Sequence, residues 1–488
     1  MAHVTLPFPF PEHLVTLVPE MVMAVAAMTI LILDLFLPTE RKHWSGYLAI
    51  AVCVVSAFLV VTVMADKPLV AFYGFFVLDP FAAFAKVLIL TTTAIAAILS
   101  IDYMRGEAHT GEYYVLMLFA ALGMMLMASS NTFIMLYLGL ELMALCVYVL
   151  VGYQREVLRS GEAALKYFVL GSLASGLLLY GISFLYGITG SFDFAAVGQG
   201  IASSGHGSTH TAVMLGMVFM LSGLLFKLSV VPFHMWTPDA YEGAPTPVTA
   251  FMSVAPKVAM FVLLIRVLVN VLPSLQHEYV GVLSALAVLT MAVGNIAAIA
   301  QRNIKRMLAY STIGHVGFVM LGLIAANAAG YAGVLVYLSI YMFMSLGAFT
   351  IITLMRREGI QGELLDDFAG LAKARPGYGL AMSLMLFSLA GIPFLGGFWA
   401  KYVVFLAAIQ TGHLYLALIG VLFSVVGAYY YIRVVKYIYF DEERVAFNFS
   451  ENRLMQATVA VTAIAVVAIG IYPGPLMNLC RSVLVGLV

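Results

Sequence analysis

Of 488 residues, 63% are hydrophobic and 10% charged, and 24 Lys and Arg are balanced by 24 Asp and Glu. That is more apolar surface than a soluble core of this length can hide, so the chain reads as an all-α polytopic membrane protein. Zero net charge with scattered basic residues argues against a nucleic-acid partner, and three cysteines without C-x-x-C spacing (Cys53, Cys146, Cys480) argue against an iron–sulfur or zinc site in the chain.

The N-terminus, with Pro7, Pro9, Pro11, Glu12 and His13, lacks a basic n-region, so the first apolar run is expected as a retained helix rather than a cleaved signal. About 20 helical residues cross a hydrocarbon core. Runs of that order fall at 14–37, 46–65, 77–101, 112–128, 131–152, 161–188, 211–242, 247–270, 278–300, 305–325, 331–355, 379–411, 414–440 and 455–472, which predicts fourteen spans. Basic residues test the count. Sixteen, among them Arg41, Lys42, Arg105, Arg155, Arg159, Arg302, Lys305, Arg306, Arg356, Arg357 and Arg444, fall on alternate connections, against Lys67, Arg266 and Arg481 on the others. The bias puts the first set in the cytoplasm and both termini on the periplasmic side.

Five lysines remain inside spans: Lys86, Lys166, Lys227, Lys257 and Lys401. A buried lysine can release its proton where an arginine cannot, so lysines in a membrane are candidate proton carriers. Glu141 is the carboxylate near mid-span and needs a cationic partner. Asp34 and Asp79 read as interfacial residues, Lys86 as facing a neighbouring helix or the interface, and Asp239 and Glu242 as lying near the cytoplasmic mouth. The stretch from His206 to His210 reads as a loop.

Two runs exceed a single crossing, and each holds a helix breaker: Pro232 in 211–242, and Gly391 with Pro393 in 379–411. Both helices are expected to break near mid-membrane and turn free carbonyls toward a polar cavity. Spans 4–8 and 9–13 each contain five crossings with the broken member fourth. Five is odd, so the second set enters from the opposite side, giving an inverted repeat. The expected divisions are 1–111 (three helices), 112–270 and 278–440 (the two repeats), and 441–488 (a last helix).

The continuous stretch from Leu225-Phe226-Lys227 through Val231-Pro232-Phe233-His234-Met235-Trp236 to Ala255-Pro256-Lys257 resembles the signature of the antiporter-like membrane subunits of respiratory complex I, a family shared with cation/proton antiporter subunits. The resemblance covers essentially the whole chain. Three features narrow it to the bacterial N branch: Lys401 where one sibling is expected to carry glutamate, too few residues after span 14 for the lateral helix of another, and three spans ahead of the first repeat. It implies a proton-channel glutamate at Glu141, its paired lysine at Lys227, a modulating lysine at Lys166, a central lysine at Lys257 and an exit-side lysine at Lys401, with His234 and His315 as relay candidates. It further implies no cofactor in this chain, flavin and iron–sulfur clusters in partner subunits, other complex I membrane subunits and lipids as partners, and residence in the bacterial inner membrane. The alternative is a sodium/proton antiporter subunit without redox chemistry.

Overall fold

The computed structural model describes residues 14–64, 68–105, 107, 109–204, 207–356, 362–442 and 452–487. Expectations resting on Pro7, Pro9, Pro11, Glu12, His13, Lys67, His206, Arg357 and Arg444 lie outside the described residues.

Three helices come first: α1 (Val18–Phe36), α2 (Trp44–Val63) and α3 (Pro80–Tyr103). The next five spans are α4 (Thr110–Ala128), α5 (Phe133–Val151), α6 (Leu158–Thr189), the broken pair α8 (Ser208–Leu228) and α9 (Trp236–Gly243), and α10 (Thr246–Asn270); a short α7 (Phe194–Ser203) precedes α8. Five more follow: α11 (Gln276–Ile299), α12 (Ile304–Ile324), α13 (Ala328–Leu354), the broken pair α15 (Pro376–Ala390) and α16 (Gly396–Gln410) behind a single turn α14 (Leu371–Ala374), and α17 (Leu414–Phe440). The described chain closes with α18 (Arg453–Ile471) and α19 (Gly474–Ser482). Among the described residues thirteen helices are long and apolar enough to cross a membrane. The two fifteen-residue halves α15 and α16 make the fourteenth crossing, so every expected span has its helix.

Differences from the sequence reading are small and local. An antiparallel hairpin pairs β1 (Leu69–Ala71) with β2 (Phe76–Leu78) before α3. It was missed because each strand is only three residues long. The expected loop at His210 is already helical, since α8 begins at Ser208.

Starts and stops follow from side-chain chemistry. Asp79, Thr132 and Asn303 accept from the free N–H groups of Ala82, Met135 and Arg306 at the first turns of α3, α5 and α12. Both breaks are made alike. Ser229 N–H returns to Phe226 O and Val230 N–H to Leu225 O; Gly391 N–H returns to Ser388 O and Ile392 N–H to Phe387 O. In each case a left-handed residue ends the helix and a proline two or three positions on prevents its continuation.

Other features recur between the two five-helix sets. The cap residue of the second helix bridges to a residue beyond the third helix, Thr132 to Asp193 and Asn303 to Leu364. Glycines let the first and second helices touch by backbone: a Cβ on Gly123 would lie 2.6 Å from Gly139 O, and one on Gly294 would lie 2.8 Å from Gly314 Cα. The centre of the bundle is α10, buried along its whole length, flanked by α12 and α13; α1, α2, α17 and α18 present most of their surface outward. Ionisable groups on the central helices are therefore sealed from bulk water.

Candidate functional site

Lys227, one residue before the end of α8, points into aromatic surroundings. Its Nζ donates to Tyr148 OH (2.7 Å) and lies over the rings of Tyr148, Tyr167 and Phe226. Tyr167 stacks flat on Trp236 with centroids 4.1 Å apart, and Trp236 anchors its indole N–H on the carbonyl of Phe226 (3.0 Å), which also accepts from Ser229 N–H. On the other side of Trp236 stands Lys257, its Nζ 5.1 Å from that ring and 3.3 Å from Ser229 Oγ, which also accepts from Thr237 (2.6 Å). Lys227 and Lys257 thus flank one aromatic stack, each 2% exposed. Among the described residues neither has a carboxylate within ion-pair distance, so hydroxyls and ring faces supply what stabilisation the ammonium groups receive.

Glu141 is half-buried on α5 and accepts from Ser175 of α6. The expected ion pair with Lys227 is not formed in this structure, because Lys227 turns to Tyr148, two helical turns further along α5. Lys166 stays near the helix end and is ion-paired with Glu162 (2.7 Å) and Asp239 (3.0 Å). Asp239 joins a wider network: Arg306 contacts Asp239 and Glu242, Arg159 contacts Glu242, and Lys305 contacts Glu363. Four acids meet four bases there, tying α6 and α9 to α12.

Beyond Lys257 the buried polar groups continue across α10, α12 and α13. Ser253 meets Ser345 (2.8 Å), and Thr312 meets Tyr341 (2.8 Å). His315 is held between two hydroxyls, Nδ1 with Tyr337 (2.7 Å) and Nε2 with Tyr431 (3.0 Å), and Tyr431 also meets Ser311. Lys401 lies over Phe318 and donates to Ser424 Oγ and to Ala390 O, both at 2.7 Å. Ala390 is the last residue of α15, so the carbonyl freed by the second break is the one Lys401 uses. His234, at the first break, is half-buried and is not a hydrogen-bond partner of either Lys227 or Lys257.

The sequence reading missed Tyr148, Ser175, Ser229, Ser424 and Glu363, which are ordinary residues until packing aims them at a charge. It also missed Glu20. Lys86, expected against a neighbouring helix or the interface, meets Glu20 of α1 within the chain. Asp79 is more than an interfacial residue: it caps α3 and grips Arg266 through both carboxylate oxygens (2.7 and 2.8 Å). Among the described residues, no three His, Cys, Asp or Glu side chains are grouped to hold a metal ion.

Fourteen crossings, two mid-span breaks and a sealed row of lysines define a polytopic membrane protein of the antiporter type, and a family model described as NADH:quinone oxidoreductase/Mrp antiporter, TM matches residues 129–427. The chain is 47% identical over 473 residues to NADH-quinone oxidoreductase subunit N of Paramagnetospirillum magneticum, covering 96% of this chain and 97% of that one. Among solved structures it is similar to a chain of respiratory complex I from Thermus thermophilus with bound aureothin, 31% identical with a TM-score of 0.81, covering 94% and 98%. A chain of the Mrp complex from Dietzia, 22% identical with a TM-score of 0.84 and 97% coverage of both, shares the fold. The chain belongs to the NADH-quinone oxidoreductase subunit N family.

Proposed function

We propose that the chain moves protons along a line running from Glu141 through Lys227 and Lys257 to Lys401, and that it carries out no redox step itself. As a member of its family it is a proton-translocating membrane subunit of NADH:quinone oxidoreductase and one membrane subunit among several. The observation that carries the site assignment is that, among the described residues, Lys227, Lys257 and Lys401 are buried yet bonded to neutral groups alone. An ammonium with only hydroxyl and carbonyl partners has no fixed counter-charge to tie its proton in place, so it can pass that proton on.

Glu141 works as the switch. When it swings from Ser175 to Lys227, the lysine is stabilised as an ammonium; when it returns, as here, Lys227 is left on Tyr148 and its proton moves toward Lys257 through water around the Tyr148, Tyr167 and Trp236 stack. Charge on Lys257 then acts on the His315 and Lys401 groups across the hydroxyl row of α10, α12 and α13. Lys166 tunes the intake side through Asp239. His234 is kept as a water-linked relay. The driver, with its flavin and iron–sulfur clusters, lies in partner subunits. The repeats occupy 112–270 and 278–440 in inverted orientation, supported by the shared break motif, caps and glycine contacts. The chain sits in the bacterial inner membrane with both termini periplasmic, as the distribution of basic residues favours.

Lys257→Ala and Glu141→Ala, each in the assembled complex reconstituted into liposomes, test the reading. Each variant is expected to lose most proton pumping, with coupled quinone reductase activity falling alongside, because removing a proton relay costs on the order of a hundredfold or more. Wild-type pumping by either variant sinks that residue's role. Co-purification with flavin and iron–sulfur centres separates this reading from an antiporter subunit.

A further inference from the structure

Away from the lysine line, a second pair of ionisable groups is sealed inside the N-terminal bundle. Glu20 of α1 and Lys86 of α3 are ion-paired at 2.6 Å with side chains 2% and 0% exposed. Phe76 of β2 lies under the ammonium at 4.7 Å. The contact is not aligned as a hydrogen bond, and Glu20 Oε1, Glu20 Oε2 and Lys86 Nζ make none among the described residues. Buried polar atoms left in that condition are places for ordered water.

The face of α3 that bears Lys86 carries more. Asp79, Lys86, Thr93 and Ser100 recur every seven residues, two helical turns, and all four are buried. At 1.5 Å per residue they reach about 31 Å, close to the thickness of a hydrocarbon core. Ser100 Oγ meets Tyr113 OH of α4 at 2.9 Å. Nearby helices add two further buried hydroxyls that have no hydrogen-bond partner among the described residues, Ser56 on α2 and Tyr114 on α4. An apolar pair would hold α1 against α3 at least as well as a desolvated ion pair. Charge kept in such a place favours chemistry over packing.

We propose that Glu20 and Lys86 form a second proton-carrying site, hydrated along the buried polar face of α3. This rests on the chain's role in proton translocation and adds a site separate from the lysine line. A proton passes from the Lys86 ammonium to the Glu20 carboxylate: an N–H bond breaks, an O–H bond forms, and the ion pair becomes a neutral acid and amine. A hydronium ion then protonates the amine, leaving one net positive charge, and release of the acid's proton to water restores the ion pair. The neighbouring Asp79–Arg266 pair cannot do this, because guanidinium does not release its proton; it clamps α3 to α10.

The test uses the complete oxidoreductase in liposomes with two variants, Glu20→Gln combined with Lys86→Met, and Lys86→Arg alone. The first leaves no lone buried charge, and the second preserves a cation that cannot shuttle protons. Both are expected to assemble and reduce quinone while yielding fewer protons per NADH than wild type, and the double variant is expected to lose a carboxyl band from the redox-induced infrared difference spectrum. A wild-type proton yield in either assembled variant, or an unchanged carboxyl spectrum in the double variant, overturns the proposal. Lys257→Ala in the same preparation keeps the two readings apart: it lowers pumping if the lysine line is correct, whatever the Glu20 and Lys86 variants do.

Discussion

At the end of α8 the left-handed residue is Ser229 (φ 67°), and at the end of α15 it is Gly391 (φ 90°). The backbone turns the same way at both, with the same pair of returning hydrogen bonds, yet each break serves its lysine differently. Ser229 accepts strain for the sake of a hydroxyl, and that hydroxyl is the hydrogen-bond partner of Lys257. Gly391 has no side chain to offer; a Cβ there would sit 3.0 Å from Lys401 Cδ. Lys401 reaches past it to the free carbonyl of Ala390 instead. One backbone device therefore supports a lysine through a side chain at the first break and through the main chain at the second. The lysine served at the first break, Lys257, comes from the following helix α10, whereas Lys401 lies on the second half of the broken pair itself.

The comparison can be broken most forcefully at Gly391. Gly391→Val combines a positive φ, costing about 1–2 kcal/mol for a side-chain-bearing residue, with displacement of Lys401 from Ala390 O. Pumping by the assembled complex is expected to fall about tenfold, since 1.4 kcal/mol corresponds to one decade; an unchanged rate means the main-chain contact is incidental. Tyr148→Phe comes next. It removes the hydroxyl but leaves the ring faces of residues 148, 167 and 226 around the buried ammonium, and is expected to slow pumping several-fold without loss of the subunit from the complex. Equal pumping would leave Tyr148 as a packing residue only.

Ser229 allows a sharper division between strain and chemistry. Ser229→Gly relieves left-handed strain of about 1 kcal/mol but removes the Lys257 partner, so thermal stability is expected to hold or rise while pumping drops. Ser229→Ala loses the partner with no relief and should fall in both measurements. If Ser229→Gly pumps normally, the hydroxyl has no role in the path. Ser424→Ala is expected to have the smallest effect, a net loss of about 1 kcal/mol, because Lys401 keeps its carbonyl. A larger loss than in Gly391→Val would reverse the assignment of main-chain support at the second break.

Much of this was legible in the chain itself. Spans follow from runs of apolar residues about as long as a bilayer is thick, and the breaks follow from Pro232, Gly391 and Pro393, whose effects are local. The lysines stood out because charge inside such a run is costly wherever it finally points. Partners were another matter. Glu141 was expected beside Lys227, but the helix packing gives it Ser175 and leaves Lys227 to Tyr148. Glu20 escaped notice because it lies close to the start of an apolar run, where a carboxylate ordinarily meets water. Only the packing of α1 against its neighbouring helices, with Lys86 of α3 beside it, makes that position dry.

Sequence by itself determined how often the chain crosses the membrane, where two of those crossings fail, and which ionisable groups are stranded within them, because each depends on a few adjacent residues and the thickness of the bilayer. Tertiary structure alone decided which group faces which, since Tyr148, Tyr167 and Trp236, or Glu20 and Lys86, come from separate helices whose rotation and depth are fixed by close packing rather than by spacing along the chain.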